Sequence, residues 1–259
     1  MDAIVARLTA SNARICLLES RSEFLRMWRT PGAVIPMLAF PVMFYAFFGV
    51  MLAKGEHGME QSIYALAGLG SFGVMGPGLF GFGTGFAIDR GLGWLQLKRA
   101  TPMPPLAYLL AKVAMAMLFG CLVTALLFAM AAFLAHVHLQ PGQWLQLFVT
   151  LVLGSVPFCA LGLAVGAWVK PASASAMVNA IYLPMSFLSG LWMPLQFLPK
   201  FIQQLATLLP AYHLGKLAYG AAGVSQDSLL PHVGALAAFT AAFLALAARG
   251  YRRNPPSSG

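Results

Sequence analysis

The side chains able to do chemistry in this chain are few. The 259 residues hold seven carboxylates: Asp2, Glu19, Glu23, Glu56, Glu60, Asp89 and Asp227. Carriers driven by protons or sodium use an ionisable group at membrane depth. Here each acid falls outside, or at the edge of, an apolar stretch, which argues against ion-coupled transport. The histidines, His57, His136, His138, His213 and His232, lie in the outward connections or, for His232, at the outward end of the last stretch. His136 and His138 could share a metal, but no cysteine and few carboxylates accompany them, so no metal site is expected. Cys16, Cys121 and Cys159 are too scattered for a disulfide framework or a zinc site. There is no G-x-S-x-G nucleophile and no G-x-x-x-x-G-K-[ST] phosphate loop. No catalytic residue is expected, and any nucleotide chemistry must belong to another chain.

The elements that position these groups follow from composition. Apolar residues make up 59% and charged residues 9%, and the mean hydropathy is +0.77. Too few charges remain to cover a water-soluble surface. The chain reads as an all-α integral membrane protein. Six stretches approach the roughly 20 apolar residues a spanning helix needs. They run from about Ala33 to Ala53, Ser62 to Ile88, Leu106 to Ala135, Trp144 to Trp168, Ser175 to Phe197, and Leu229 to Ala248. The tryptophans bounding the fourth suit the two headgroup layers. One domain is expected over 1–259: an interfacial segment 1–32, the spans 33–248 and a tail 249–259.

Lysine and arginine set the orientation. Twelve of the sixteen fall before the first span, between spans two and three, between four and five, or in the tail, and a thirteenth, Lys112, lies just inside the third span on the same side. The positive-inside rule then places both termini in the cytoplasm. The net charge of +9 is thereby topological, with anionic lipid as neighbour, and no nucleic-acid partner is needed. Lys112 is the one charge inside a span and is expected to snorkel to the headgroups. In the N-terminal segment Ile15, Leu18, Leu25 and Trp28 fall near one helical face, and Arg14, Glu19, Arg21 and Arg26 occupy much of the rest. That pattern predicts a helix lying in the interface rather than a cleavable signal.

Span two carries eight glycines around Pro77, from Gly68 to Gly85, and Gly81 and Gly85 form a G-x-x-x-G pair that Gly162 and Gly166 repeat in span four. Close helix packing explains such motifs, and a helix that rearranges during transport is the functional alternative. Pro36, Pro41, Pro184 and Pro194 add sites for kinks.

The connection after span two reads Asp89-Arg90-Gly91-Leu92-Gly93-Trp94-Leu95-Gln96-Leu97-Lys98-Arg99-Ala100-Thr101-Pro102. Leu92, Leu95 and Arg99 can share one face of a short helix that Thr101-Pro102 stops, and such a helix suits docking in another protein's groove. Here the chain resembles the ABC-2 family of ABC transporter permeases, which export drugs, lipids and polysaccharides. An acidic–basic pair, a glycine three residues after the basic member, a leucine and a Thr-Pro stand at Asp89, Arg90, Gly93, Leu95, Thr101 and Pro102. Gly91 replaces a second acid found in many relatives. Gly190, Pro194, Pro199, Pro210 and Tyr212 match a second family pattern after span five.

The resemblance covers essentially the whole chain and carries specific implications. Asp89 to Arg99 becomes a coupling helix that meets an ATP-binding subunit. The stretch between Gly190 and Pro210 becomes a short re-entrant helical hairpin on the outer side. Two ATPase copies, with ATP and magnesium held on them, and a second permease chain, most simply an identical one, complete the assembly in the plasma membrane. Spans two and five then line the substrate path, which makes Phe72, Phe80, Phe86, Asn179, Tyr182 and Ser186 its candidates. An accessory membrane subunit with no pathway, or a membrane-embedded enzyme, are the rival classes. The outward histidines lack the partners an enzyme needs.

Overall fold

The computed structural model describes residues 12–53, 55, 57–94 and 105–253. Among the described residues every regular element is a helix. α1 (Asn12–Trp28) leads to α2 (Pro31–Tyr45), which a π-helical turn extends over Ala46–Met51. α3 (Gly58–Gly78) runs through a second π turn, Leu79–Thr84, into α4 (Gly85–Gly91). There follow α5 (Pro105–Phe133), α6 (Pro141–Leu153), α7 (Val156–Trp168) and α8 (Pro171–Leu188). A 3-10 turn at Leu195–Phe197, α9 (Lys200–Ala206), α10 (Pro210–Ala221) and α11 (Leu230–Arg253) complete the chain.

Local sequence explains where these helices begin. Proline opens α2, α6, α8 and α10, where its missing N–H is no loss and its fixed φ suits a first turn. At α6 a reciprocal cap between Gln140 and Gln143 satisfies two further backbone donors. Pro77, inside α3, has no N–H for the carbonyl one turn back, and the wider π turn starts two residues later.

Five helical stretches are long and apolar enough to cross a membrane: Val34–Met51, Gly58–Gly91, Ala107–Phe133, Pro141–Trp168 and Leu230–Arg253. The sequence predicts six. In the fifth place α8 stops at Leu188, and Ser173, Ser175 and Asn179 dilute its apolar character. The stretch from Trp144 to Trp168 is built of two helices that meet at Gly154 and Ser155. The protein is a multi-pass membrane protein, and its surface agrees: Leu110, Leu118, Leu145, Leu230 and Leu244 are exposed where lipid tails can cover them.

Helix α3 with its π turn and α4 forms the centre, packed by α2, α5, α7 and α10. Against α7 the two helix backbones come into direct contact. A Cβ at Gly162 would lie 2.7 Å from the Gly78 carbonyl oxygen, and one at Gly166 2.8 Å from those of Phe82 and Gly83. Only glycine lets the two backbones meet this way. The Gly81/Gly85 pair behaves differently. Gly81 faces the Met115 side chain of α5, and Gly85 faces two cationic side chains.

Beyond α8 the chain turns at Gly190, whose φ of +74° favours glycine. Its carbonyl accepts hydrogen bonds from Tyr64 Oη (2.6 Å) and Tyr219 Oη (2.8 Å). The two phenol rings stack at 4.4 Å. This three-way contact ties the segment after α8 to α3 and α10.

Candidate functional site

Four charged side chains converge where α1, α4 and α5 meet. Lys112 Nζ lies 3.1 Å from Glu23 Oε2 and 3.3 Å from Asp89 Oδ2. Arg26 donates to Asp89 Oδ1 (2.7 Å) and Oδ2 (3.3 Å), and its Nη2 is 3.1 Å from Glu23 Oε2. Tyr108 Oη donates to Asp89 Oδ2 at 2.5 Å, and Lys112 also sits 5.1 Å from the centre of the Tyr108 ring. The two cations and two anions balance. Lys112, Glu23 and Asp89 are buried, whereas the Arg26 side chain is 50% exposed. Burial disfavours a charged Arg26, yet its hydrogen bond to Asp89 and the nearby carboxylates outweigh that and raise its pKa above the ordinary arginine value.

This arrangement corrects the sequence-based reading of Lys112. It does not snorkel. Its ammonium is wholly enclosed, because α1 folds back over the end of α5 and supplies Glu23 as a partner. Glu23 is a residue that sequence reasoning missed. Its spacing from Arg26, one helical turn, was the available signal, but nothing local pointed to Lys112. Helix α1 packs Phe24 and Met27 toward Met115 and Phe119, while Leu18, Leu25 and Trp28 stay exposed.

Asp89 and Arg90, the acidic–basic pair, both point inward. Asp89 belongs to the cluster. Arg90 donates to the carbonyl oxygens of Ala167 and Val169 (2.8 Å for the latter), capping the C-terminal end of α7. Gly93, with φ +73°, follows in the turn. Leu95, Arg99, Thr101 and Pro102 lie outside the described residues.

Above the cluster opens a cavity of about 970 Å³ between α1, α2, α3, α4 and α8. Of the residues read as a substrate path, Phe72, Phe80, Asn179 and Tyr182 line it. Phe86 and Ser186 do not. Phe86 packs on Tyr108 and Ala167, and the Ser186 hydroxyl donates to Leu183 O at 2.8 Å. Phe44 and Trp192, which sequence reasoning did not single out, complete an aromatic wall. Phe72 stacks on Tyr182 at 4.6 Å, and Phe44 lies 4.5 Å from Trp192. The π turn places Phe80 and Thr84 along the same cavity. The hydroxyl of Tyr182 donates to Phe72 O at 2.9 Å, which fixes α8 against α3.

Removing that single hydrogen bond gives a measurable effect. Tyr182→Phe keeps the ring stack and is expected to lower stability by about 1 kcal/mol. The midpoint of denaturant unfolding in detergent checks this, and an unchanged midpoint would mean the bond holds nothing in place. Among the described residues, no group of three or more histidine, cysteine or acidic side chains could hold a metal ion.

Comparison with known proteins bears on this arrangement. A Bacillus subtilis (strain 168) protein named as a transport permease, YvfS, is 28% identical over 202 residues, 78% of this chain and 82% of the relative. The inner membrane transport permease YadH of Escherichia coli (strain K12) is 26% identical over 230 residues, 85% of this chain and 87% of that one. The family model described as ABC-2 type transporter matches residues 16–222. That match takes in most of α1, the charged cluster, the aromatic cavity and the chain as far as α10, so the protein belongs to the ABC-2 type transporter family.

Proposed function

We propose that this chain is the transmembrane permease subunit of an ATP-driven exporter that moves an amphipathic drug, lipid, peptide or glycan-type substrate outward. Energy comes from a separate ABC ATPase, present in two copies and carrying the ATP and magnesium. Two permease chains, most simply identical, form the pathway at their seam. The whole chain acts as one domain with six spans, α8 being the fifth. α1 lies in the interface, and the short helices between Gly190 and Pro210 form a re-entrant hairpin. Both termini face the cytoplasm across the plasma membrane. The distribution of lysine and arginine supports that orientation, and the printed name of the Escherichia coli relative supports an inner-membrane location.

One observation carries the coupling assignment. The last turn of α4 is anchored twice, by Asp89 to α1 and α5 and by Arg90 to the end of α7. A push on the segment that follows, Asp89 to Arg99, would therefore move four helices together instead of bending a loop. In this account Leu95, Arg99, Thr101 and Pro102 shape the contact with the ATPase, while Asp89 and Arg90 act as positioning residues. Leu92, 68% exposed at the start of the segment, is free to meet a partner.

Co-purification with the ABC ATPase encoded alongside, followed by ATP hydrolysis in lipid, tests the reading. Arg90→Ala is expected to leave the subunits associated and to cut substrate-stimulated hydrolysis at least tenfold. If no ATPase co-purifies, or if the variants Arg90→Ala and Leu95→Ala keep full stimulation, the coupling assignment fails.

A further inference from the structure

The end of the cavity beside the ionic cluster is built as a headgroup site. Gly85 forms its floor: a Cβ added there would lie 3.4 Å from Lys112 Nζ and 3.8 Å from Arg26 Nη2. Two cations thus converge on a space that any other residue would begin to fill. The carboxylates at this end are already engaged. Asp89 accepts from Arg26 and Tyr108 and pairs with Lys112, and Glu23 pairs with Lys112 and Arg26. Both are buried, so the charge presented to the cavity is the half-exposed guanidinium of Arg26.

Two further polar atoms lack partners. Among the described residues, the Thr84 hydroxyl, adjacent to Gly85, and the Trp192 indole N–H are buried without a hydrogen bond, and both residues line this cavity. Native structures rarely leave such groups unsatisfied, so each is an argument for a polar ligand atom. Between the two ends the wall is Phe40, Phe44, Phe72 and Phe80. Phe72 and Asp89 both line the cavity and are separated along one helical path by roughly 25 Å at the helical rise. That is long enough for an extended hydrocarbon chain.

We propose that this cavity binds an amphiphile with an anionic headgroup, the head seated over Gly85 against the Arg26 guanidinium, with Lys112 enclosed behind it, and the tail along the phenylalanine wall. This deepens the exporter reading and rests on it for the statement that the ligand is cargo. The binding site itself does not need the ATPase.

The test uses the full chain in nanodiscs of zwitterionic lipid. Binding of cis-parinaric acid, a fluorescent polyene carboxylate, is read by energy transfer from tryptophan, since Trp94 and Trp192 line the cavity. Signals are taken relative to nanodiscs without protein. The carboxylate is expected to bind at least tenfold more tightly than its methyl ester. Arg26→Gln and Gly85→Val should each erase that difference. Arg26→Lys should keep it, and Phe80→Ala should weaken acid and ester alike. Gly85→Val removes no charged group, so it reads the headgroup site even where Arg26→Gln disturbs folding.

Equal affinity for acid and ester in the wild-type chain overturns the proposal. So does a preference for an amine of the same tail, or an acid preference that survives Gly85→Val. Adding phosphatidylglycerol to the nanodiscs separates the two sources of such a ligand. Competition identifies a bilayer lipid, and its absence identifies a free amphiphile. Binding as expected without ATPase co-purification would sink the exporter reading and leave the site. A stimulated ATPase complex with no acid preference would do the reverse.

Discussion

Lys112→Met is expected to destabilise the folded chain by about 3–5 kcal/mol, because it leaves Glu23 and Asp89 buried with one cation between them. The size follows from an asymmetry. A buried ion pair contributes little net stability, since desolvation offsets most of its attraction, but a buried charge stripped of its partner keeps the full penalty. The same argument predicts a rescue. Lys112→Met combined with Glu23→Gln removes one charge of each sign and leaves Arg26 with Asp89. The double variant should therefore recover most of the loss. Resistance to denaturant in detergent measures both, and a single variant as stable as the wild type would mean that the cluster is not buried in the folded chain.

The second large effect lies at the contact of α3 with α7. Gly166→Val must push the carbonyls of Phe82 and Gly83 away, and these belong to the π turn beside the cavity. Backbone oxygens inside a helix cannot swing aside as the end of a methionine can. We expect little folded protein, corresponding to a loss above about 3 kcal/mol, at the upper end of overpacking costs. Gly120→Ala in α5 is the control. Its new methyl would sit 3.6 Å from Val74 Cγ1, an ordinary contact, and the higher helix propensity of alanine should leave stability equal or raised by up to about 1 kcal/mol. Yield of monodisperse protein in size-exclusion chromatography distinguishes the two. Equal yields would show that the helices do not pack through this glycine.

How much of this was legible in the sequence depends on the range of the interaction. Helix starts at Pro31, Pro141, Pro171 and Pro210 could be read locally, because proline acts within one turn. The membrane class followed from composition alone. The partner of Lys112 could not be read, since Glu23 is 89 positions away and hydropathy shows that a stretch is apolar without showing what covers it. The scarcity of acids was read as an absence of charge at depth. In fact Asp89, at the edge of its stretch, turns inward because Arg26 and Lys112 are there to meet it.

Phe72, Phe80, Asn179 and Tyr182 were assigned to the substrate path by family resemblance, and they share a cavity. Phe86 sits half a helical turn round from Thr84 and so faces α5 and α7 instead. Phe44, Thr84 and Trp192 join the same cavity from three separate elements, and no spacing in the sequence links them. Gly162 and Gly166 were legible as a packing motif, while Gly81 and Gly85 share the spacing but not the role. A glycine pair announces close approach, and the fold decides what approaches.

A separate ATPase is proposed to drive this chain through the segment that begins at Asp89. Site-specific photo-crosslinking in cells tests it without knowledge of the substrate. A photoreactive residue in place of Leu92 is expected to capture an ABC ATP-binding protein as one discrete product. The same residue in place of Phe133, exposed at the far end of α5, should capture none. Absence of an ATP-binding protein at position 92, or equal capture at 133, would contradict the account.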